Sequence, residues 1–226
     1  MIHGMSDDRA EERFDIYDEA GDWIGTATRS DVHKHGYWHH SIHCWLARAD
    51  EQGRKLALFQ LRHPDKDTFP LHYDITAAGH LSAGETYEEA SREIEEELGV
   101  PAPFEALVPL GETRREMSGS AQGVSFVDRE ISRMYGLPFA GELTDLRLQA
   151  DEVAGVYEAE LSAMIDLFEG RRAQIEAQGV RLNGEGALVP ASAQVAASQF
   201  VTRPASYYAG VFRQLLHMLE PGNSPE

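Results

Sequence analysis

One stretch, Gly79–Val100, constrains this chain more than any other. A glycine-rich loop, Gly79-His80-Leu81-Ser82-Ala83-Gly84, runs into the acidic segment Glu85–Leu98, and Gly99 follows it. Thr86 can cap a helix start, with Glu89 at the third helical position, a capping-box pattern. Gly99 supplies a left-handed C-cap. Wound at about 100° per residue, Tyr87, Ala90, Ile94 and Leu98 form one apolar stripe that should face a core. Glu89, Glu93, Glu96 and Glu97 share the adjacent stripe, while Arg92, Glu88 and Glu95 point away. Like charges at this spacing repel by roughly 0.2–0.5 kcal/mol per pair, and the segment contains no lysine. A hard divalent cation such as Mg²⁺ relieves that repulsion, because it takes oxygen ligands and shares them with substrate phosphates. The other reading is an acidic face that is simply solvated.

Charge narrows the partners. The 226 residues carry 38 acidic and 20 Lys/Arg side chains, a net charge of −18. Nucleic acid polymers and anionic membranes are therefore not the expected partners, and an anionic substrate needs a metal or local arginines to bind. The single cysteine, Cys44, allows no internal disulfide and fits a reducing compartment. No apolar run reaches membrane-span length, and the N-terminus has no signal-peptide apolar region. These features place the protein in the cytoplasm.

The remaining pattern predicts an α+β domain over residues 13–226 behind a flexible N-terminal segment, 1–12. Phe14–Tyr17 and Trp23–Thr28 read as a hairpin, and Arg29–Gly36 as a loop. Strands are expected at His39–Arg48, Lys55–Arg62, Tyr73–Ala78, Phe104–Leu110, Ser125–Leu137 and Val153–Leu161. Ser118–Gly123 reads as flexible, Ser162–Gln178 as a helix, and Ala205–Leu219 as a closing amphipathic helix forming a C-terminal extension. Arg181–Ala197 is polar, rich in small residues, and matches no element template. Strands in runs with helices between them imply a mixed sheet flanked by helices, an α/β/α sandwich.

The motif Arg92-Glu93-Ile94-x-Glu96-Glu97-x-Gly99-Val100, preceded by Gly79-x5-Glu85, resembles the Nudix box, the signature of hydrolases of nucleoside diphosphates linked to another moiety. Between Glu85 and Arg92 this chain has six residues, one fewer than the family usually has. The resemblance implies the Nudix fold and a small-molecule diphosphate substrate. It also implies Mg²⁺ (or Mn²⁺) on Glu93, Glu96 and Glu97, with the Gly79 carbonyl as a further ligand. It offers Glu93 as general base, with Glu130 or an acid at Asp151-Glu152 as the alternatives, and Arg92 and Glu96 as further catalytic positions. A homodimer is compatible with such a fold, though no pattern here requires one.

Five histidines crowd one segment: His33, His35, His39, His40 and His43. On a strand starting near His39, residues 39 and 43 share one face. Read alone, they are equally a polar strand end or metal ligands. The stretches Asp15–Glu19, Val32-His33, Trp38–Trp45, Pro64–Asp67 and Ala78-Gly79-His80 resemble the Nudix subfamily related to isopentenyl-diphosphate isomerase. By that resemblance a metal falls on His33, His39, His80, Asp128 and Glu130. Asp128 and Glu130 share a strand face at i,i+2, as two ligands of one ion would. Such isomerases also need a cysteine just before Gly-His, where this chain has Ala78. Cys44 lies elsewhere and reads as a small buried hydrophobe. The sequence thus argues for an isomerase-like scaffold with hydrolytic chemistry. Arg114, Arg115, Arg129 and Arg133 are candidate phosphate clamps, and Trp38, Tyr73 and Phe126 candidate stacking residues. Two rival readings stay open: an isomerase of isopentenyl diphosphate with another proton relay, and a Nudix-fold binding module without turnover.

Overall fold

The computed structural model describes residues 12–121, 123–220 and 222. The expected flexible segment lies, up to residue 11, outside the described residues. The architecture is α+β, and the chain divides into two compact units. The first comprises residues 1–42, 79–91 and 111–134, the second 43–78, 92–110 and 135–226.

In the first unit, β1 (Arg13–Tyr17) and β2 (Trp23–Thr28) form the expected antiparallel hairpin, and Tyr17 also pairs with Trp38 at the start of β3 (Trp38–Ala49). Asp18 builds the turn: its Oδ1 accepts from the N–H groups of Ala20 and Asp22, each at 2.9 Å. Phe14, Ile16 and Val32 are buried together, with Ala27 and Tyr37 against them.

Val32 belongs to α1 (Arg29–His35), where a loop was expected. Thr28 caps α1 by accepting from Asp31 N at 3.2 Å, and Gly36 closes it at φ +67°. Both stop signals are present in the sequence. A single buried apolar residue, Val32, left no periodicity to connect them.

The glycine loop is pinned from its backbone. Leu81 N donates to His40 O at 3.0 Å and Ala83 N to Arg13 O at 2.8 Å. Gly84 N donates to Asp15 Oδ2 at 2.7 Å. The segment Ser118–Gly123, expected to be flexible, is strand up to residue 121: β7 (Val108–Ala121) runs through it toward β8 (Val124–Pro138). Glycine is needed within β7, because a Cβ on Gly119 would meet the Phe126 ring at 2.8 Å.

In the second unit, the end of β3 pairs antiparallel with β4 (Lys55–Arg62), and β4 with β9 (Val153–Glu160). β9 pairs with β10 (Ile175–Leu182), and β10 with β11 (Leu188–Val195). The strand expected over Tyr73–Ala78 is two pieces, β5 (Tyr73–Asp74) and β6 (Ala77–His80). Phe104–Ala106 is a 3-10 turn, so β7 begins only at Val108.

The helix expected over Ser162–Gln178 ends early. α4 spans Leu161–Phe168, Gly170 turns the chain at φ +74°, and Arg171 and Arg172 fold back onto Asp166 at 2.7 and 3.2 Å. From Ile175 the burial pattern alternates, so β10 follows a period of two and not 3.6. Its partner β11 supplies the structure of the stretch that matched no template. Their turn is held by Asn183 Oδ1, which accepts from Glu185 N and Ala187 N at 2.9 Å each. The closing helix α5 (Ala205–Met218) packs on α4 through Phe168 and Tyr208, stacked with ring centroids 4.2 Å apart, and Phe212 meets Trp45 at 5.2 Å.

The acidic helix is also in two pieces, α2 (Tyr87–Ala90) and α3 (Arg92–Leu98), separated at Ser91. Ser91 Oγ donates to Glu88 O at 2.7 Å, a local bond that competes with the helix ladder. The Thr86–Glu89 capping box and the buried stripe Tyr87, Ala90, Ile94 and Leu98 are as expected. Gly99 ends α3 at φ +69°, and a Cβ there would lie 2.7 Å from Arg147 Cβ. Gly99→Ala should therefore cost at least about 1–2 kcal/mol of stability, the left-handed penalty alone. Urea denaturation midpoints of the two proteins measure it.

Candidate metal centre and acidic helix

The first unit assembles a cluster of histidines and acids. His33 sits in the last turn of α1, His39 in β3, His80 at the end of β6, and Asp128 and Glu130 two residues apart on β8. His33 Nε2 and His39 Nε2 both lie 3.6 Å from Asp128 Oδ1. His80 Nε2 lies 3.0 Å from Glu130 Oε1. All five residues that the isomerase resemblance named are therefore neighbours. Within two triads, His33–His39–His80 and His39–Asp128–Glu130, one ligand atom from each residue lies within 4.8 Å of the others.

Packing fixes the rings. Phe14 stacks on His39 at 5.3 Å and lies 5.1 Å from His80. His39 is fully buried and its Nδ1 lies 3.2 Å from Tyr37 O. Since a carbonyl only accepts, Nδ1 carries the hydrogen and Nε2 a lone pair. That lone pair and Asp128 Oδ1 are both buried without a hydrogen-bond partner. Orphaned buried acceptors are costly, and a cation would satisfy both, so the residues present fit a divalent ion. A mixed imidazole and carboxylate set suits Mn²⁺ or another transition ion better than Mg²⁺.

Electrostatics agrees with a neutral ring. Burial first, and the neighbouring His80 second, push the His39 pKa down to about 4. Arg29, one turn before His33 on α1, places Nη1 3.4 Å from His80 Nδ1 and is itself paired with Glu12 at 3.0 Å. An arginine only donates, so His80 accepts at Nδ1 and donates from Nε2 to Glu130. Reading 29–36 as a loop hid Arg29, which the i,i+4 spacing to His33 would otherwise have flagged.

The acidic helix follows the His80 loop in sequence and belongs to the second unit from Arg92 onward. The four glutamates of its acidic stripe, Glu89, Glu93, Glu96 and Glu97, are not equivalent. Glu89 accepts from Thr86 N at 2.8 Å and is committed to the capping box. Glu96 is exposed, its carboxylate 3.8 Å from Arg92 Nε. Glu93 is partly buried and takes a 2.7 Å bond from Arg92 Nη1. Arg92 therefore folds over the acidic face and does not point away as its helical angle implied. Glu97 is buried, at 7% exposure. Burial, then the charge of Glu93, push its pKa up to about 8, with Lys66 and the Ala78 N–H opposing. Gln60 Nε2 lies 3.4 Å from Glu97 Oε2. Among the described residues, Glu93, Glu96 and Glu97 do not form a triad as close as those of the histidine cluster.

The arginine candidates separate. Arg114 donates to Glu19 O at 2.8 Å and Arg129 to Glu116 at 2.8 Å, and both lie near 5.9 Å or closer over Trp38. Arg133 covers Tyr87 at 4.3 Å. Only Arg115 of the four reaches the cluster, with Nη1 3.9 Å from Glu130 Oε2. Tyr73 packs in the second unit against Phe59 at 5.2 Å and Phe200 at 5.4 Å. Glu152 pairs with Lys66.

Residues 38–176 match the Nudix domain family. The chain belongs to the Nudix family. It is 35% identical over 207 residues to an uncharacterised Nudix hydrolase of Clostridium acetobutylicum, covering 91% of this chain and 98% of that protein. It is 35% identical over 151 residues to Nudix hydrolase 3 of Arabidopsis thaliana, covering 65% of this chain but 19% of that much longer protein. A crystal structure of a Deinococcus radiodurans protein shares the fold, with TM-score 0.51 and 21% identity over 90% of this chain and 99% of that one. The protein is thus a Nudix-type hydrolase acting on pyrophosphate linkages, of a family that generally uses divalent metals. Among the described residues no helix is long and apolar enough to cross a membrane.

The His39 environment has a pH signature. Its pKa is about 4 in the fold against 6.5 unperturbed, so between those values the unfolded chain binds more protons. Its share of stability is complete above pH 6.5 and is lost as pH falls toward 4. In EDTA, the wild-type thermal midpoint should fall over that window more steeply than that of His39→Asn, and paired melts across pH measure the difference.

Proposed function

We propose that the protein is a metal-dependent pyrophosphohydrolase of a nucleoside diphosphate-X or other organic diphosphate, with Mg²⁺ or Mn²⁺ held by Glu93, Glu96 and Glu97. One observation carries this reading. The Nudix-box residue Glu97 is a buried carboxylate set beside the like charge of Glu93. Such a pair is tolerated when a cation stands in for the missing counter-charge. When bound, the ion polarises the diphosphate oxygens and offsets charge developing in the reaction.

The chain's own groups supply the remainder. Glu93 accepts a proton from water as the water oxygen attacks phosphorus, and the bridging P–O bond breaks. Arg92, bonded to Glu93 at 2.7 Å, fixes the direction of that carboxylate. Glu96 and Glu97 would hold the ion with their negative charge.

A second reading is favoured by the histidine cluster: a metal on His33, His39, His80, Asp128 and Glu130 serving an isomerase-type proton transfer on isopentenyl diphosphate. Ala78 stands where that chemistry needs a thiol. Incubation with this substrate in deuterated water separates the readings, since carbon-bound deuterium supports the isomerase and phosphate release alone supports the hydrolase.

The primary test is a panel of nucleoside diphosphate-X compounds with Mg²⁺ or Mn²⁺, scored for phosphate-containing products. Turnover that vanishes in EDTA is expected, and absence of turnover across the panel would indicate a binding module. Glu97→Gln should lower kcat by more than about 100-fold, since even outer-shell partners of metal ligands are worth 10–100-fold, with the circular dichroism spectrum unchanged.

A further inference from the structure

Strand β4 reads Lys-Leu-Ala-Leu-Phe-Gln-Leu-Arg, and its inner six residues, Leu56–Leu61, are all buried. Gln60 is the single polar side chain among them, at 5% exposure. A primary amide in such a run is costly unless it is hydrogen-bonded, so its retention calls for a partner. The partner is Glu97, whose Oε2 lies 3.4 Å from Gln60 Nε2.

A neighbouring acceptor is already engaged. Asp74 faces Gln60 in the β4–β5 register. Its Oδ1 takes Arg203 Nη1 at 2.6 Å and Ile75 N at 2.9 Å, and its Oδ2 takes Arg62 Nη1 at 3.4 Å. The amide is thus left to Glu97. Its chemistry matters as much as its position. A lysine or arginine at residue 60 would also donate to Glu97, but would cancel the charge that attracts a cation. An amide satisfies one carboxylate lone pair and leaves the negative charge in place.

We infer that Gln60 is a positioning residue for the divalent-cation site of the acidic helix, holding the Glu97 carboxylate in one orientation through the Nε2–H···Oε2 bond. This rests on the reading of Glu97 as a metal ligand. Outer-shell partners of this kind typically carry 10–100-fold of metal affinity.

The test uses the full chain and titration calorimetry with Mg²⁺, which prefers oxygen ligands to the imidazoles of the histidine cluster. Gln60→Met keeps the side-chain volume and removes the donor. It should weaken Mg²⁺ binding by about 10–100-fold and raise the Mg²⁺ concentration for half-maximal turnover by the same factor. The kcat at saturating Mg²⁺ should stay within about threefold, because the ligand itself remains. Gln60→Asn, which withdraws the amide by one methylene, should move both quantities in the same direction and guards against a Gln60→Met protein that does not fold. Unchanged Mg²⁺ affinity in the folded Gln60 variants, with affinity lost in Glu97→Gln, overturns the inference alone. Unchanged affinity in Glu97→Gln overturns the metal-site reading beneath it. A merely structural Gln60 would lower the thermal midpoint without moving the Mg²⁺ constant.

Discussion

A carboxylate buried beside another carboxylate is the constraint on which the proposed chemistry of the acidic helix depends. Glu97 is removed from water and set against Glu93, and both effects favour its neutral form. Neutral, it would be a poor ligand and a wasted polar group. Lys66 and the Ala78 N–H pull the other way but leave the pKa near 8. The helix supplies negative charge and its surroundings only part of the compensation, and that deficit is what a divalent cation can fill. The same deficit explains why the glutamates of one sequence stripe have different tasks. Glu89 caps, Glu96 faces solvent, Glu93 is steadied by Arg92, and Glu97 alone is sunk into the fold.

The first unit meets the same difficulty with different atoms. Its cluster leaves the His39 Nε2 lone pair and Asp128 Oδ1 without partners in a region closed off by Phe14. The two centres differ in donor chemistry, oxygen on the acidic helix and mixed nitrogen and oxygen in the cluster. They are therefore suited to ions of different hardness.

Much of this was readable before any coordinates. Patterns that depend on one dominant local signal came through: the Asp18 turn, the Thr86–Glu89 box, the Gly99 cap, and the apolar stripe of the acidic helix. Where two weak signals had to be combined, the reading failed. α1 carries a good cap and a good stop but one buried apolar residue between them, so it passed for a loop. β10 begins after a short helix whose periodicity blurred into it, and β11 is nearly all exposed or half-exposed, so its alternation was invisible. At the site, the five cluster residues were reachable only through resemblance, since no spacing rule links His33 to Glu130. Arg29 and Gln60 were missed for opposite reasons. The helix that would have marked Arg29 was not recognised, and a glutamine inside an apolar strand looks like any other polar interruption until its neighbour across space is known.

The contact between Arg29 and His80 has a consequence of its own. While the guanidinium donates to Nδ1, the imidazole hydrogen resides on Nε2, facing Glu130. A neutral histidine that ligates through Nε2 must move that hydrogen to Nδ1, where it would confront another donor. Arginine grip and ligation by Nε2 therefore exclude one another. If His80 turned Nε2 to such an ion, Arg29 would give up its bond to the ring and would keep its pairing with Glu12.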